Sequence, residues 1–147
     1  MYRSILRRTG ALFLLLTLTF ALAGCAMLKT EDMDQRVRAM LDLDVAGDRE
    51  GSYTLLFPGI TDEETFRETF QQIQAYFPIT EGYKLTLESY HITKQIGTSR
   101  RTIEDAEYQV CFDDQEFTVY VQFVTEAKRA GFTEFRVVNQ KDLIGAA

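Results

Sequence analysis

The feature that most constrains the fold is a change of hydrophobic period at Pro78. Before it, apolar residues recur at intervals of three or four, at Phe66, Phe70, Ile73 and Phe77. This is the spacing of one face of an α-helix. After it, apolar and polar residues alternate, which is typical of strands with one buried face. The order of the two patterns predicts helices first and strands afterwards.

Four alternating segments after Pro78 are predicted as strands, over residues 83–95, 103–113, 117–123 and 132–139. A slip in the alternation near Ser89 predicts a β-bulge in the first of them. Short polar turns join the segments, so each strand should pair with the next in antiparallel fashion. The predicted class is α+β, with N-terminal helices packed on one face of a curved, cone-like, four-stranded antiparallel sheet.

Two helices are predicted before the strands. The first is expected over residues 30–45 and should end at Gly47. The second opens with a capping box over residues 61–64, in which Thr61 is the expected cap. The stretch 53–57 between them fits either a short helix or an extended connector.

The N-terminal segment has the pattern of a secretory signal peptide. Residues 1–8 carry three arginines and no acid, and residues 10–23 are uncharged and mostly apolar. An apolar run of about 14 residues is too short to cross a bilayer core of about 30 Å. A membrane-spanning anchor is therefore the weaker interpretation.

The apolar run closes with Leu22, Ala23, Gly24 and Cys25. This ending resembles the lipobox of bacterial lipoproteins; the alternative is a chance cysteine near an ordinary cleavage site. The resemblance implies that signal peptidase recognises Leu22, Ala23 and Gly24 and cleaves before Cys25. Cys25 would then carry diacylglycerol on its sulfur and an acyl chain such as palmitate on its amino group. Two or three acyl chains hold a protein stably at a membrane, whereas one does so only marginally.

The lipobox resemblance also implies a domain organisation and an address. Residues 1–24 would be the signal peptide, residues 25–29 the lipidated N-terminus with a short tether, and residues 30–147 a single α+β domain. The protein would sit in the cell envelope, held by lipid. In a Gram-negative bacterium, Ala26 after the cysteine implies the outer membrane, facing the periplasm.

The charge balance argues against some classes of partner. Outside the leader, 13 basic residues stand against 22 acidic ones, a net charge of −9. This excess argues against nucleic acid and against electrostatic docking on anionic lipid. The basic pairs Arg100–Arg101 and Lys128–Arg129 are accordingly expected to be solvated turns.

The predicted elements over residues 30–139 are similar in order and length to the nuclear transport factor 2-like (cystatin-like) fold. The cues are a helix running into residues 46–48, Tyr53 soon afterwards, and the four-strand tail. Short bacterial lipoproteins often have this fold. No catalytic motif of that superfamily matches residues of this chain.

His91 is the only histidine. Some enzymes of the resembled superfamily abstract protons with a histidine–carboxylate pair in a conical pocket, and here Asp105 or Glu107 could supply the carboxylate. Tyr90, His91 and Tyr108 are therefore the predicted pocket residues, although aromatic residues at strand spacing are more often core. No residue is predicted to be catalytic.

Metal, cofactor and thiol chemistry are not expected. A calcium loop starting at Asp42 would have Ala46 and Tyr53 where oxygen ligands are required. One histidine and one cysteine outside the leader do not make a zinc site. The remaining cysteine, Cys111, lies inside a strand pattern and is expected to be a buried packing residue.

These observations predict a membrane-tethered envelope lipoprotein that binds a small ligand or an envelope protein without catalysis. Its expected contacts are membrane lipid, through Cys25, and an envelope protein or ligand that the sequence does not identify. The alternatives are a small lyase-type or isomerase-type enzyme using His91, and a structural accessory of an envelope assembly complex. A pocket with His91 pointing inward would favour the enzyme. A flat apolar sheet face near Tyr120 and Val124 would favour the interaction module.

Overall fold

The structure of the protein is a computed structural model that describes residues 30–144, with side chains described up to residue 142. Contacts divide the chain into two compact units, residues 1–35 and 36–147. Of the first unit, only the helical residues 30–35 are described. The predicted signal peptide, the cleavage motif and Cys25 lie outside the described residues.

The described elements follow the predicted order, with helices before strands. The helices are α1, described over residues 30–46, α2 (Arg49–Thr54), α3 (Glu63–Tyr76) and α4 (Gln140–Ile144). The strands are β1 (Lys84–Gln95), β2 (Arg101–Phe112), β3 (Gln115–Glu126) and β4 (Arg129–Asn139). The sheet is antiparallel, curved and open, in the order β1-β2-β3-β4. The predicted α+β fold is confirmed.

The predicted bulge in β1 is present, since the register against β2 shifts between Leu87 and Ser89. Strand alternation gives the sheet two faces. The inner face carries Tyr108, Val110, Phe117 and Val119, which are fully buried. The outer face carries the residues between them. A second register shift interrupts the ladder between β3 and β4, between Gln122 and Phe123 of β3.

Side chains from the helical part of the second unit contact the inner face. The Tyr76 ring of α3 meets Phe117 edge-on with centroids 6.0 Å apart, and Phe77 does so at 4.9 Å. Phe77 also meets Phe112 edge-on at 5.4 Å. These aromatic contacts, together with buried Phe70, place the hydrophobic core between the helices and the inner face.

The N-cap of α3 is Asp62, so the prediction of Thr61 was wrong by one residue. The Asp62 carboxylate accepts from the backbone N–H of Thr65 at 2.8 Å and from its hydroxyl at 2.7 Å. The backbone hydrogen bond from Thr65 is the main cause of the lowered pKa of Asp62. A carboxylate that accepts two bonds is a better cap here than the Thr61 hydroxyl, which donates to Asp62 O instead.

The stretch between α2 and α3 combines the two structures that the sequence left open. After α2, the backbone becomes extended and Leu56 forms a parallel bridge with Phe132 of β4. The Phe57 N–H donates to Phe132 O and the Phe132 N–H donates to Leu55 O, each at 2.9 Å. This short segment covers part of the outer edge of β4.

The helix α4 was not predicted. The Asn139 N–H donates to the Tyr76 hydroxyl at 2.9 Å, and that hydroxyl donates to Asp142 at 2.7 Å. Gln140 also donates to the Thr118 hydroxyl at 2.5 Å. These polar contacts hold α4 against α3 and β3. Because the contacts are hydrogen bonds, they leave no hydrophobic pattern in the sequence. Among the helices described, none has the length and apolar character that a bilayer span needs.

Candidate functional site

The three predicted pocket residues do not share one pocket. Tyr90 and His91 are neighbours on β1, so their side chains point to opposite faces of the sheet. Tyr90 pairs with Ala106 on the inner face, where Tyr108 is fully buried. His91 pairs with Asp105 on the outer face and is exposed. The bulge at Ser89 determines on which face of the sheet the His91 side chain lies. The sequence pattern alone left this question open.

Tyr90 instead belongs to a polar cluster on the inner face. Its hydroxyl donates to Glu104 Oε1 at 2.6 Å, and Arg36 Nη1 donates to Glu104 Oε2 at 3.0 Å. The Arg36 guanidinium also lies 4.2 Å from the centre of the Phe123 ring. Glu104 is buried, and a buried carboxylate with both oxygens hydrogen-bonded is a structural link between helix and sheet.

His91 lies in a depression on the outer face with a volume of about 250 Å³. We call it the outer depression. Its polar lining is Ser89, His91, Asp105, Glu107, Tyr120, Glu134 and Arg136. These residues come from all four strands and are neighbours through the ladder register, in which Glu107 pairs with Tyr120 and Tyr120 with Arg136.

Hydrogen bonds fix part of the outer depression. Gln122 Nε2 donates to Asp105 Oδ1 at 2.9 Å, and the Thr133 hydroxyl donates to Gln122 Oε1 at 2.8 Å. These two hydrogen bonds link three strands and orient the Asp105 carboxylate, which lines the same depression as His91.

An aromatic–cation pair forms the other side of the depression. The Arg136 guanidinium lies 4.3 Å from the centre of the Tyr120 ring, and Arg136 Nε donates to Glu134 Oε1 at 3.3 Å. Stacked arginine and tyrosine side chains are the types most often found at the energetic centres of protein interfaces.

The charge of the outer depression is negative. Three carboxylates, Asp105, Glu107 and Glu134, stand against one guanidinium, that of Arg136. The sequence indicated Asp105 and Glu107 as possible partners of His91, but it did not indicate Glu134 or Arg136. Only the register of β4 against β3 brings them there, and no local pattern could have indicated it.

The outer face does not have the flat apolar character that the sequence analysis proposed as a marker of an interaction module. Tyr120 lies in the polar depression, and Val124 is fully buried. The half-buried Cys111 is also on this face, opposite Lys84 and Glu116. It therefore lies outside the core, contrary to expectation.

The residues of the calcium-loop pattern that starts at Asp42 lie mostly on helices, on α1 up to residue 46 and on α2 from Arg49. Asp48 caps α2 by accepting from the Gly51 N–H at 2.9 Å. Asp44 is buried, and neither of its carboxylate oxygens has a hydrogen-bond partner among the described residues. Burial raises the pKa of Asp44 to about 6. Within the part of the chain that the structure describes, no three His, Cys, Asp or Glu side chains are placed to hold a metal ion.

Comparisons of the chain with protein-family models, with curated proteins and with solved structures find no match. The function must therefore be argued from the residues of this chain.

Proposed function

We propose that the protein is a lipid-anchored module of the cell envelope that binds a protein partner through the outer depression, without catalysis. The observation that carries this proposal is the negatively charged, partly pre-organised depression on the sheet face that the helices leave uncovered. The membrane anchor of the proposal is Cys25, on the strength of its lipobox-like sequence.

The shape of the outer depression favours a protein partner over a small molecule. Its volume of about 250 Å³ is below the range of about 300–1,000 Å³ that is usual for sites that enclose small ligands. A shallow polar surface can instead take part in a larger interface around an anchor of the Tyr120–Arg136 type.

The charge of the depression indicates the chemistry of the partner. Asp105 and Glu107 both lie on the outer face of β2, and Glu134 lies on β4. Carboxylates at this spacing suit a segment with two or more Lys or Arg side chains, since complementary charge guides association and orientation. The partner is therefore a polar, basic segment of an envelope protein.

The proposal can be tested by photo-crosslinking in the native host. A photoreactive amino acid replaces His91, which is exposed within the depression, and in a second strain it replaces Glu68, which is exposed on α3. We expect a discrete protein adduct from position 91 and none from position 68, because only the first position faces the proposed interface.

A charge-reversal variant makes this experiment specific. The double substitution Glu107→Lys and Glu134→Lys should abolish the adduct at position 91, because it reverses the charge that attracts the partner. The matched double substitution Glu64→Lys and Glu68→Lys, on α3, should leave it. Equal adduct yields from both variants would show that the outer depression is not the binding surface.

A pocket enzyme that uses His91 is the second candidate, and the pairing of His91 with Asp105 favours it. However, His91 is exposed in an open depression, whereas general bases are usually tuned by burial. We expect His91→Ala, at wild-type abundance, to retain the adduct formed from a probe at Ser89 and to leave the growth of the host unchanged. Growth like that of the deletion strain would favour the enzyme.

A further inference from the structure

The two hairpin turns at one end of the sheet lie side by side. The Ser99 hydroxyl, in the β1–β2 turn, donates to Glu126 at the end of β3 at 3.1 Å. Glu126 also pairs with Arg101 across the β2–β3 ladder. We call residues 94–101 and 126–129 the hairpin end.

The hairpin end is basic although the chain is acidic. It contains five cations and one acid, namely Lys94, Arg100, Arg101, Lys128, Arg129 and Glu126. The acid is partly neutralised, because Arg129 lies 3.5 Å from it. Lys94, Arg100 and Lys128 are exposed. The net charge of −6 led to the expectation that the chain would not dock on anionic lipid, but the structure brings both basic pairs to this one end of the sheet, where positive charge is concentrated.

The opposite end of the sheet has the opposite charge. The β2–β3 turn carries Asp113 and Asp114, Glu116 lies near the start of β3, and Glu81 precedes the start of β1. All four side chains are exposed. The sheet is therefore polarised along its strands, with a basic and an acidic end separated by strands of 12 residues, or about 40 Å.

Apolar side chains accompany the cations at the hairpin end. Ile96, at the β1–β2 turn, is 89% exposed. The Arg129 guanidinium lies 5.1 Å from the centre of the Phe57 ring. Ile60, whose backbone N–H donates to Phe57 O, is 47% exposed. Cations mixed with exposed apolar side chains are typical of surfaces that contact lipid headgroups.

The chain enters the second unit at this same end. Arg36, its first residue, contacts Glu104 and Phe123, which lie three residues from the strand ends at Arg101 and Glu126. Arg36 is eleven positions after Cys25, and even a fully extended chain of that length spans at most about 40 Å. A lipid on Cys25 would therefore keep Arg36, at the hairpin end, within about 40 Å of the membrane.

We propose that the hairpin end faces and contacts the anionic phospholipid surface to which Cys25 is attached. This inference rests on the proposed lipid anchor. The start of α1 carries acidic residues, Glu31, Asp32 and Asp34, which do not attract anionic lipid. The electrostatic attraction to the membrane therefore comes from the cations of the hairpin end. Tethering raises the effective concentration of lipid at the hairpin end, so weak contacts suffice to orient the domain. The outer depression then stands clear of the bilayer.

The orientation can be measured on the full-length lipidated protein reconstituted in vesicles of phosphatidylglycerol and phosphatidylethanolamine. In a Cys111→Ser background, Ile96→Cys carries an environment-sensitive fluorophore, and a second protein carries it at Glu81→Cys. Some of the lipids bear a nitroxide quencher on the headgroup. We expect quenching at position 96 to exceed that at position 81 by at least about threefold, because the two positions lie at opposite ends of strands that are about 40 Å long.

Charge variants test the cause of the orientation. Replacing Arg100 and Lys128 with glutamine should remove most of the quenching at position 96. Replacing Lys84 and Lys141, which are exposed outside the hairpin end, should not. Vesicles of phosphatidylcholine alone should likewise lose the quenching while the protein still floats with them.

The outcomes separate this inference from the proposed anchor. Protein that floats with the vesicles but shows equal quenching at both positions would overturn the orientation and leave the anchor intact. Quenching at position 96 that survives in phosphatidylcholine and in the Arg100→Gln/Lys128→Gln variant would overturn the role of the cations. Wild-type protein that fails to float would overturn the anchor itself.

Discussion

At the scale of single residues, Asp44 is the clearest departure from what its surroundings favour. It continues the apolar stripe of α1, and it is 8% exposed. Both oxygens lack hydrogen-bond partners within the described part of the chain. Burial without hydrogen-bond partners destabilises the charged form of a carboxyl group, and the pKa of the group therefore rises.

The position of Asp44 predicts a dependence of stability on pH. Its pKa is about 6 in the folded protein, against the usual value of 3.8 for an aspartate side chain. The folded state therefore binds the proton more tightly, and the stabilising effect of the neutral form is fully present below about pH 4. It is lost as the pH rises to about 6 and beyond. At pH 7, Asp44→Asn should raise the free energy of unfolding by about 1–3 kcal/mol.

Denaturant unfolding at pH 4 and pH 7 checks this prediction. The gain from Asp44→Asn should shrink strongly at pH 4, where the wild-type side chain is mostly neutral. Glu68→Gln, at an exposed position of α3, should have little effect at either pH. If Asp44→Asn raised the free energy of unfolding equally at both pH values, the effect would not come from the ionisation of Asp44.

At the scale of elements, the segment Leu55–Phe57 is held against β4 by a close backbone approach. A Cβ at Gly131 would lie 2.4 Å from Leu56 C and from Phe57 N. Gly131→Ala must therefore push the segment off β4, and we expect it to cost about 1–3 kcal/mol of stability. Gly97→Ala is the matched control, since a Cβ there meets nothing within 4 Å.

Thermal unfolding and amide hydrogen exchange measure the effect of Gly131→Ala. Gly131→Ala should lower the melting temperature and speed exchange of the Phe57 and Phe132 amides, which donate the bridging hydrogen bonds. Gly97→Ala should change neither. Unchanged exchange at Phe57 and Phe132 in Gly131→Ala would mean that the segment does not depend on this approach.

The sequence predicted those elements whose formation depends on a regular hydrophobic period. The helix before Pro78, the four strands and the bulge at Ser89 all follow from side-chain spacing. The bridge at Leu56, the helix α4 and the cap at Asp62 depend on individual hydrogen bonds instead. Competing caps and tertiary polar contacts of this kind leave no periodic trace in a sequence.

The candidate site was less predictable than the fold for a related reason. The sequence singled out His91 and its possible carboxylate partners, but the facing of His91 depends on one bulge. Glu134 and Arg136 reach the depression only through the pairing of β4 with β3. Residues far apart in sequence are brought together by register, which alternation alone does not specify.

At the scale of the whole molecule, both proposals depend on the lipid anchor. The basic hairpin end offers a membrane contact only if the chain is held at a membrane, and the outer depression is proposed to act from there. Cys25 is thus the residue on which the account depends most. Its modification can be measured without knowing the partner.

The most direct measurement is the intact mass of the mature protein extracted with detergent from membranes of its native host. We predict a chain that begins at Cys25 and carries the added mass of a diacylglyceryl group, with or without a further acyl chain. Cys25→Ser should accumulate as the uncleaved precursor that begins at Met1. A mature wild-type protein with an unmodified Cys25, or one cleaved at another position, would contradict the account.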